Sequence, residues 1–333
     1  MVAHAGFHWS GGRQRFFEGW YYRVCLPECN QSFAFMYAID DPQGGTGVSG
    51  GCLQVLGMDD QHMWRTLPNT QDFWADRDYL RLGHWGRGNR QLEGYEASDR
   101  ANQGYIVDPV SARTCRWNYQ IQPRYWWQRP TMGPLSYLPI FEPGWQILTA
   151  HGLATGTISW HDQVYQFQNV PAYSEKNWGR SFPRRWFWLQ ANSFARQPDL
   201  SLTAAGGLRD FLTQPSAVAM ISVCLGGVFY NFLPDQAEVI CEIEPWGSWQ
   251  ITAVSAIATL KISAKTNLPG TYILVPTATG LKPECRDTGQ GSLELELGDR
   301  QGRCLIQAKD DLAALEVGGS GWEQPWRFQS AAI

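Results

Sequence analysis

Phe16-Phe17-Glu18-Gly19-Trp20-Tyr21-Tyr22-Arg23-Val24-Cys25-Leu26, then Pro27-Glu28-Cys29-Asn30, then Gln31-Ser32-Phe33-Ala34-Phe35-Met36-Tyr37-Ala38-Ile39: two apolar runs of strand length flank a short polar break. Aromatic and β-branched residues bounded by Pro, Asn and Gly read as strands, and the break between them makes a hairpin. Asp40-Asp41-Pro42 and Gly44-Gly45 end it. The same short-strand rhythm continues over 48–57, 79–86, 91–99, 103–108 and 114–121, with turns at Gly57-Met58-Asp59-Asp60 and Arg87-Gly88-Asn89. Gln71-Asp72-Phe73-Trp74 opens at most one helical turn, and helix periodicity is weak elsewhere. The fold expected is all-β, built as an antiparallel barrel or sandwich.

Residues 122–145 carry prolines at 123, 130, 134, 139 and 143 among Tyr125, Trp126, Trp127, Tyr137 and Trp145, which reads as a long aromatic loop. Strands resume at 146–150, 153–160 and 163–168, and Glu175-Lys176-Asn177-Trp178-Gly179 then reads as a loop between domains. From Trp186 the opening layout returns: a run to Phe194, a turn at Arg196-Gln197-Pro198-Asp199, and a run over Leu200–Leu208. Further strands are expected at 217–224, 228–233, 237–243, 248–263, 271–276, 293–297, 303–307 and 312–317. A length of 333 residues suits two domains, 1–183 and 184–333, each with its own core.

Composition narrows the function classes. With a net charge of −4 and Arg184-Arg185 as the only adjacent basic pair, no positive stripe follows a phosphate backbone, so nucleic acid is not an expected partner. The eight cysteines form no C-x-x-C pair and have no histidine at ligand spacing, which argues against zinc. The chain opens without a charged-then-apolar signal segment, so free, mostly buried thiols in a reducing compartment are expected rather than bridges. No continuous apolar stretch has the length of a membrane span, so any membrane contact is expected to be peripheral. Of 17 tryptophans 13 precede residue 189, as do 11 of 13 tyrosines, which makes the first half the expected host of a ligand cavity. A large core with ordinary strand aromatics explains any single ring equally well.

The ionisable groups set among these rings are the chemical candidates. A desolvated carboxylic acid can hold its proton near neutral pH, and Glu18 and Glu175 both have aromatic neighbours. For Glu18 the structural alternative is a buried ion-pair carboxylate; for the Glu175 run it is an inter-domain clamp. Asp40, followed by Asp41-Pro42, reads as a turn closer or as an acid at a barrel mouth near Tyr37. His84 and His151 read as structural. No nucleophile elbow, phosphate loop or H-E-x-x-H is present, and the Gly44–Gly51 stretch lacks the strand-to-helix context of a dinucleotide site.

Phe17–Arg23, Gln31–Tyr37, Leu82-Gly83-His84-Trp85-Gly86 and Pro171-Ala172-Tyr173-Ser174-Glu175-Lys176-Asn177-Trp178-Gly179 together closely resemble the tocopherol cyclase family, over nearly the whole chain and in its cyanobacterial form. The family also looks distantly related to carotenoid hydratase-like proteins with two lipocalin-like domains. The resemblance implies an isomerase of the intramolecular lyase class that turns a prenylated benzoquinol into the chromanol of tocopherol, in vitamin E biosynthesis. It implies no metal, nucleotide or flavin cofactor. Glu175 is then the expected acid, Asn177 its orienting neighbour, and Glu18 and Asp40 the reserves. Trp20, Tyr22, Tyr37, Trp178 and Trp188 are the expected substrate-lining rings, able to shield a cation. A soluble or peripheral protein on the cytoplasmic side, touching a thylakoid membrane or lipid globules, is the expected setting. The alternatives are a non-catalytic prenylquinone-binding barrel and an isoprenoid hydratase.

Overall fold

A computed structural model describes residues 2–12, 14–87, 92–127, 129–137, 142–211 and 214–330. Parts of three expected features lie outside them: Gly88-Asn89 of one turn, residue 91 at the head of a strand, and residues 128 and 138–141 of the aromatic loop. Among the described residues there is no α-helix, only short 3-10 turns between strands. The chain divides into two compact units, Met1–Phe182 with Val275–Lys282, and Pro183–Leu274 with Pro283–Ile333.

The first unit holds β1 (Phe17–Leu26), β2 (Gln31–Asp40), β3 (Gly50–Leu56), β4 (His62–Leu67), β5 (Phe73–Ala75), β6 (Arg81–Arg87), β7 (Leu92–Ser98), β8 (Ala101–Val107), β9 (Thr114–Trp126), β10 (Gly144–Trp160) and β11 (Gln163–Gly179). They form one antiparallel sheet in the order β4-β3-β2-β1-β11-β10-β9-β8-β7-β6-β5. The second sheet runs β12 (Arg185–Ala191), β13 (Leu200–Phe211), β14 (Gln214–Leu225), β15 (Val228–Phe232), β16 (Ala237–Ile243), β17 (Ser248–Ser255), β18 (Ala258–Lys265), β19 (Thr271–Thr277), β20 (Gly280–Asp299), β21 (Cys304–Gly319) and β22 (Trp326–Ser330), all in the second unit except the end of β19 from Val275 and the start of β20 to Lys282. Its sheet order is β15-β14-β13-β12-β21-β20-β18-β17-β16-β22, with β19 paired to β20. In each sheet the first strand pairs with a late long one, β1 with β11 and β12 with β21. The repeated layout legible around Trp186 is this shared order.

Several strands are longer than expected. β10 and β11 each join segments that read as separate, and β11 absorbs the Glu175–Gly179 run that read as a loop. Pro171 is accommodated because β1 stops pairing at Val24↔Ala172, so no ladder donor is required of it there. β9 likewise carries Pro123, beyond its last β8 pair at Ala101↔Gln120 and beside the irregularity where β10 bulges at His151 and Gly152. The aromatic loop therefore begins after Trp126, not at 122.

The core of the first unit lies on one face of its sheet. Trp20, Tyr22 and Val24 of β1, Phe33, Phe35, Tyr37 and Ile39 of β2, and Trp117 and Tyr119 of β9 alternate into it. A one-residue slip of β1 would turn all these rings out, so the register is firmly fixed. At the centre Asn102 Oδ1 accepts from Tyr37 Oη at 2.6 Å and Trp117 Nε1 at 2.8 Å, while its Nδ2 donates to Tyr119 Oη at 2.9 Å. Tyr37 stacks on Tyr95 at 3.9 Å. Gly94, at φ +151°, is required here, because a Cβ would lie 2.1 Å from the His84 carbonyl oxygen. All eight cysteines are free; Cys29 and Cys304 are exposed and the other six are buried.

Candidate active site

The two runs that drew attention in the sequence lie side by side. β1 and β11 pair with Glu18 opposite Trp178, Trp20 opposite Lys176 and Tyr21 opposite Glu175. Side chains alternate across a strand, so this register sorts the candidates onto two faces. Glu18, Trp20, Tyr22, Lys176 and Trp178 share the core face with Tyr37. Glu175, Asn177, Tyr21 and Asp40 point to the other. Glu18 and Glu175 therefore do not meet in one cavity.

On the core face Glu18 is an ion-pair carboxylate. Lys176 Nζ donates to its Oε1 at 2.5 Å and to the Gly6 carbonyl at 2.6 Å, and both side chains are fully buried. The His8 backbone N–H donates to Oε2 at 2.8 Å, and His8 Nδ1 lies 3.3 Å from Oε1. Burial pushes the Glu18 carboxyl up, but the Lys176 ammonium and the His8 contacts together outweigh it and hold it below the usual range. Burial also pulls Lys176 down, with Glu18 opposing; an ammonium at 2.5 Å settles the carboxylate as ionised. Trp20 and Trp178 face that ammonium at 5.9 and 5.4 Å.

On the opposite face Glu175 is buried and accepts two hydrogen bonds at Oε2, from Tyr173 Oη at 2.7 Å and Trp145 Nε1 at 2.9 Å. Both donors are neutral. Tyr21, its cross-strand partner, places a ring 6.4 Å from that of Tyr173. Asn177 follows two positions on, half-buried and opposite Trp145. Asp40 ends β2 on this face, with Arg15 Nη2 at 2.8 Å from its Oδ1. Burial dominates over Arg15 there and pushes the Asp40 carboxyl up to about 6.

Tyr22 and Tyr37 are built into the core, Tyr22 donating to the Ser98 carbonyl at 3.2 Å and Tyr37 to Asn102. Trp188 lies on β12 of the second unit, on the face opposite Phe187 and Leu189 of that unit's core. His84 is held by the Asn69 carbonyl at 2.9 Å, a structural contact. Sequence reasoning missed Tyr173 and Trp145, the donors to Glu175, and His4 and His8. The first pair is visible only once the β10–β11 register is known; the second left a faint signal, two of the six histidines four residues apart near the start.

Among the described residues no group of three or more His, Cys, Asp or Glu side chains is placed to hold a metal ion. No helix among them is long and apolar enough to cross a membrane. A groove of about 1000 Å³ in the second unit is lined by Gln250, Lys261, Glu294, Glu296, Lys309 and Asp311, among others. Those alternating charges match a polar ligand better than an isoprenoid chain.

A profile of the family described as tocopherol cyclase-like matches residues 14–319. The chain is 36% identical over 377 aligned positions to a protein of Oryza sativa subsp. japonica named as a probable chloroplastic tocopherol cyclase, covering 97% of this chain and 80% of that one. A chloroplastic tocopherol cyclase of Zea mays is also 36% identical, with 97% and 79% covered. Among solved structures, an AttH-designated protein of Nitrosomonas europaea superposes with a TM-score of 0.53 at 11% identity, covering 96% of this chain and 98% of that one. CghA gives 0.52 at 10% identity, with 96% of each chain covered. These two share the fold.

Proposed function

The chain belongs to the tocopherol cyclase-like family, and from that premise we infer that it is a tocopherol cyclase acting on a prenylated benzoquinol of the dimethylphytyl type. The observation that carries this reading is the 36% identity to plant cyclases along 97% of the chain. The reaction is an isomerisation. A proton adds to the less substituted carbon of the prenyl double bond, charge develops at the tertiary carbon, and the neighbouring phenol oxygen closes the ring as its own proton leaves. No electron is gained or lost, so the chemistry calls for an acid and a place for the released proton, not a redox cofactor. By class it is an intramolecular lyase.

Glu175 is the donor in this proposal. Glu18 is unsuited, because Lys176 keeps it ionised. Once Glu175 has given up its proton, the Tyr173 hydroxyl and Trp145 indole N–H steady the negative charge on Oε2. Tyr21, Tyr173 and Trp145 supply the rings on that face, each contributing roughly 0.5–2 kcal/mol to a nearby cation. Asn177 lies one alternation further along the strand, in a place suited to the quinol hydroxyl. Trp20 and Trp178 serve the ion pair on the core face instead. The substrate is lipid-soluble, so we take the chain to meet a lipid surface peripherally, and exposed Tyr79 and Tyr137 of the first unit suit that contact.

A second assignment has one observation in its favour: the Asp40 carboxyl, raised to about 6, shares the face of Glu175. Purified Glu175→Gln and Asp40→Asn, incubated with the prenylated quinol under nitrogen, separate the two. Loss of chromanol in Glu175→Gln alone supports Glu175, whereas full cyclisation by that variant refutes it, and loss in Asp40→Asn alone moves the role to Asp40. Binding without product in the unaltered protein would instead indicate a carrier, and a hydroxyl from labelled water a hydratase.

A further inference from the structure

β11 interleaves two sets of side chains. Glu175 and Asn177 point to the proposed substrate side, and Lys176 and Trp178 point to the core face between them. Both core-facing residues are gripped by the N-terminal segment. Lys176 donates to the Gly6 carbonyl at 2.6 Å, and the His8 ring lies on the Trp178 indole at 3.9 Å, 2° from parallel. His4 touches the same indole at 4.9 Å.

The segment is itself fixed. The Phe7 N–H donates to the Asp76 carbonyl at 2.8 Å, and the Phe7 ring packs among Phe16, Trp20 and Phe73. Gly6 sits so close to the 76–78 loop that a Cβ would lie 1.8 Å from the Arg77 carbonyl oxygen. A hydrogen-bonded series then runs inward: Ser136 Oγ to His4 Nε2 at 3.1 Å, His4 Nδ1 to His8 Nε2 at 3.1 Å, and His8 Nδ1 to Glu18 Oε1 at 3.3 Å. One set of tautomers satisfies every link, with each imidazole neutral, protonated on Nδ1 and accepting on Nε2.

We propose that the Gly6–His8 segment is a clamp on β11, and that His8 is a positioning residue for Glu175 and Asn177, acting through Lys176 and Trp178. This rests on the cyclase reading in which Glu175 donates the proton. The clamp is sensitive to protonation. The charged or titratable groups packed against it are His4, His8, Glu18, Lys176 and Tyr137, whose ring lies 4.4 Å from that of His4, with Asp76, Arg77 and Asp78 on the adjoining loop. Burial, with His8 and Lys176 adding to it, pulls His4 down from near 6.5 to about 4, and burial pulls His8 down too. Each imidazole is thus held neutral when docked. For His4 that contribution is complete above the ordinary imidazole range and is lost as pH falls towards about 4; for His8 it is lost in the same direction, as pH falls below that range. Once both rings are protonated the series breaks, because His4 Nδ1 and His8 Nε2 are then both donors.

The test uses full-length His8→Ala and His8→Asn, the latter able to donate an amide N–H to Glu18 but not to titrate. In His8→Ala, kcat with the prenylated quinol should fall about 10- to 100-fold at little-changed KM, the scale of a misplacement of about 1 Å. Amide exchange across Glu175–Trp178, measured without substrate, should speed up about tenfold. His8→Asn should restore the rate and flatten its decline below pH 6. Unchanged exchange and kcat in His8→Ala would overturn the clamp, as would a His8→Asn variant as impaired as His8→Ala. If exchange opens in His8→Ala while Glu175→Gln cyclises normally, the clamp stands and the acid assignment falls.

Discussion

Replacing Lys176 by Met removes an ammonium that is fully buried against an equally buried carboxylate 2.5 Å away. What remains is a Glu18 charge with no compensating cation at contact distance and a Gly6 carbonyl that has lost its 2.6 Å donor. Breaking one side of a buried ion pair costs about 3–5 kcal/mol, and a lost hydrogen bond adds about 1 kcal/mol. For a unit of this size each kcal/mol moves the thermal midpoint about 2–4 °C, so a drop of about 8–24 °C is expected. The drop should depend on pH. Without Lys176, burial is left to push the Glu18 carboxyl up, and a raised acid destabilises the fold above its pKa but not below it. Acidification should therefore narrow the gap to the unaltered protein until Glu18 takes up a proton. Adding Glu18→Gln should recover most of the loss at neutral pH, giving a coupling of about 3 kcal/mol in a double-mutant cycle. Scanning calorimetry from pH 5 to 8 reads all of this. A Lys176→Met variant within about 1 kcal/mol of the parent, or a double variant no better than the single one, would refute the account.

Asp40, raised to about 6, penalises the folded state increasingly as pH climbs through that value; Asp40→Asn should remove the part of the fall in thermal midpoint between pH 5 and 8 that this group causes, and identical slopes would contradict it. Asn102→Leu strands the Tyr37 and Trp117 donors inside the core and should cost about 3 kcal/mol or more by urea titration. Trp145→Phe keeps the ring but removes the N–H on Glu175; kcat should fall about tenfold or more with little change in stability, as for the loss of one donor to a developing charge. Gly6→Ala should loosen the N-terminal segment and bring forward proteolysis before Phe16, whereas an unchanged cleavage pattern would mean the seat is less tight than 1.8 Å implies.

The hairpin of β1 and β2 was legible because its apolar runs and turn residues agree, and the all-β architecture with a repeated layout followed from it. The Glu175–Gly179 run reads as a loop because β11 is a central strand buried on both faces just where that run begins: Tyr173, Ser174, Glu175 and Lys176 are all buried, so polarity does not alternate. Pro171 and Pro123 also looked like strand breakers, and each escapes by lying where one neighbouring strand has stopped pairing. The identities of Glu18 and Glu175 could be picked out from the sequence, but their facing could not. That depends on whether Tyr21 or Trp20 sits opposite Glu175, a register set by the whole sheet. His4 and His8 carry no periodic signal, since their role arises from where an irregular segment happens to dock.

The thiol inventory has an experimental use. Of eight cysteines only Cys29 and Cys304 are exposed, and they fall in different units of the chain. Burial pushes the Cys115 and Cys241 thiols well above the ordinary thiol range, beyond the reach of a maleimide at neutral pH. The unaltered protein therefore carries one accessible labelling site per unit. A pair of spin labels or fluorophores placed there would report the distance between the units, and any change when a quinol binds, without a single engineered residue.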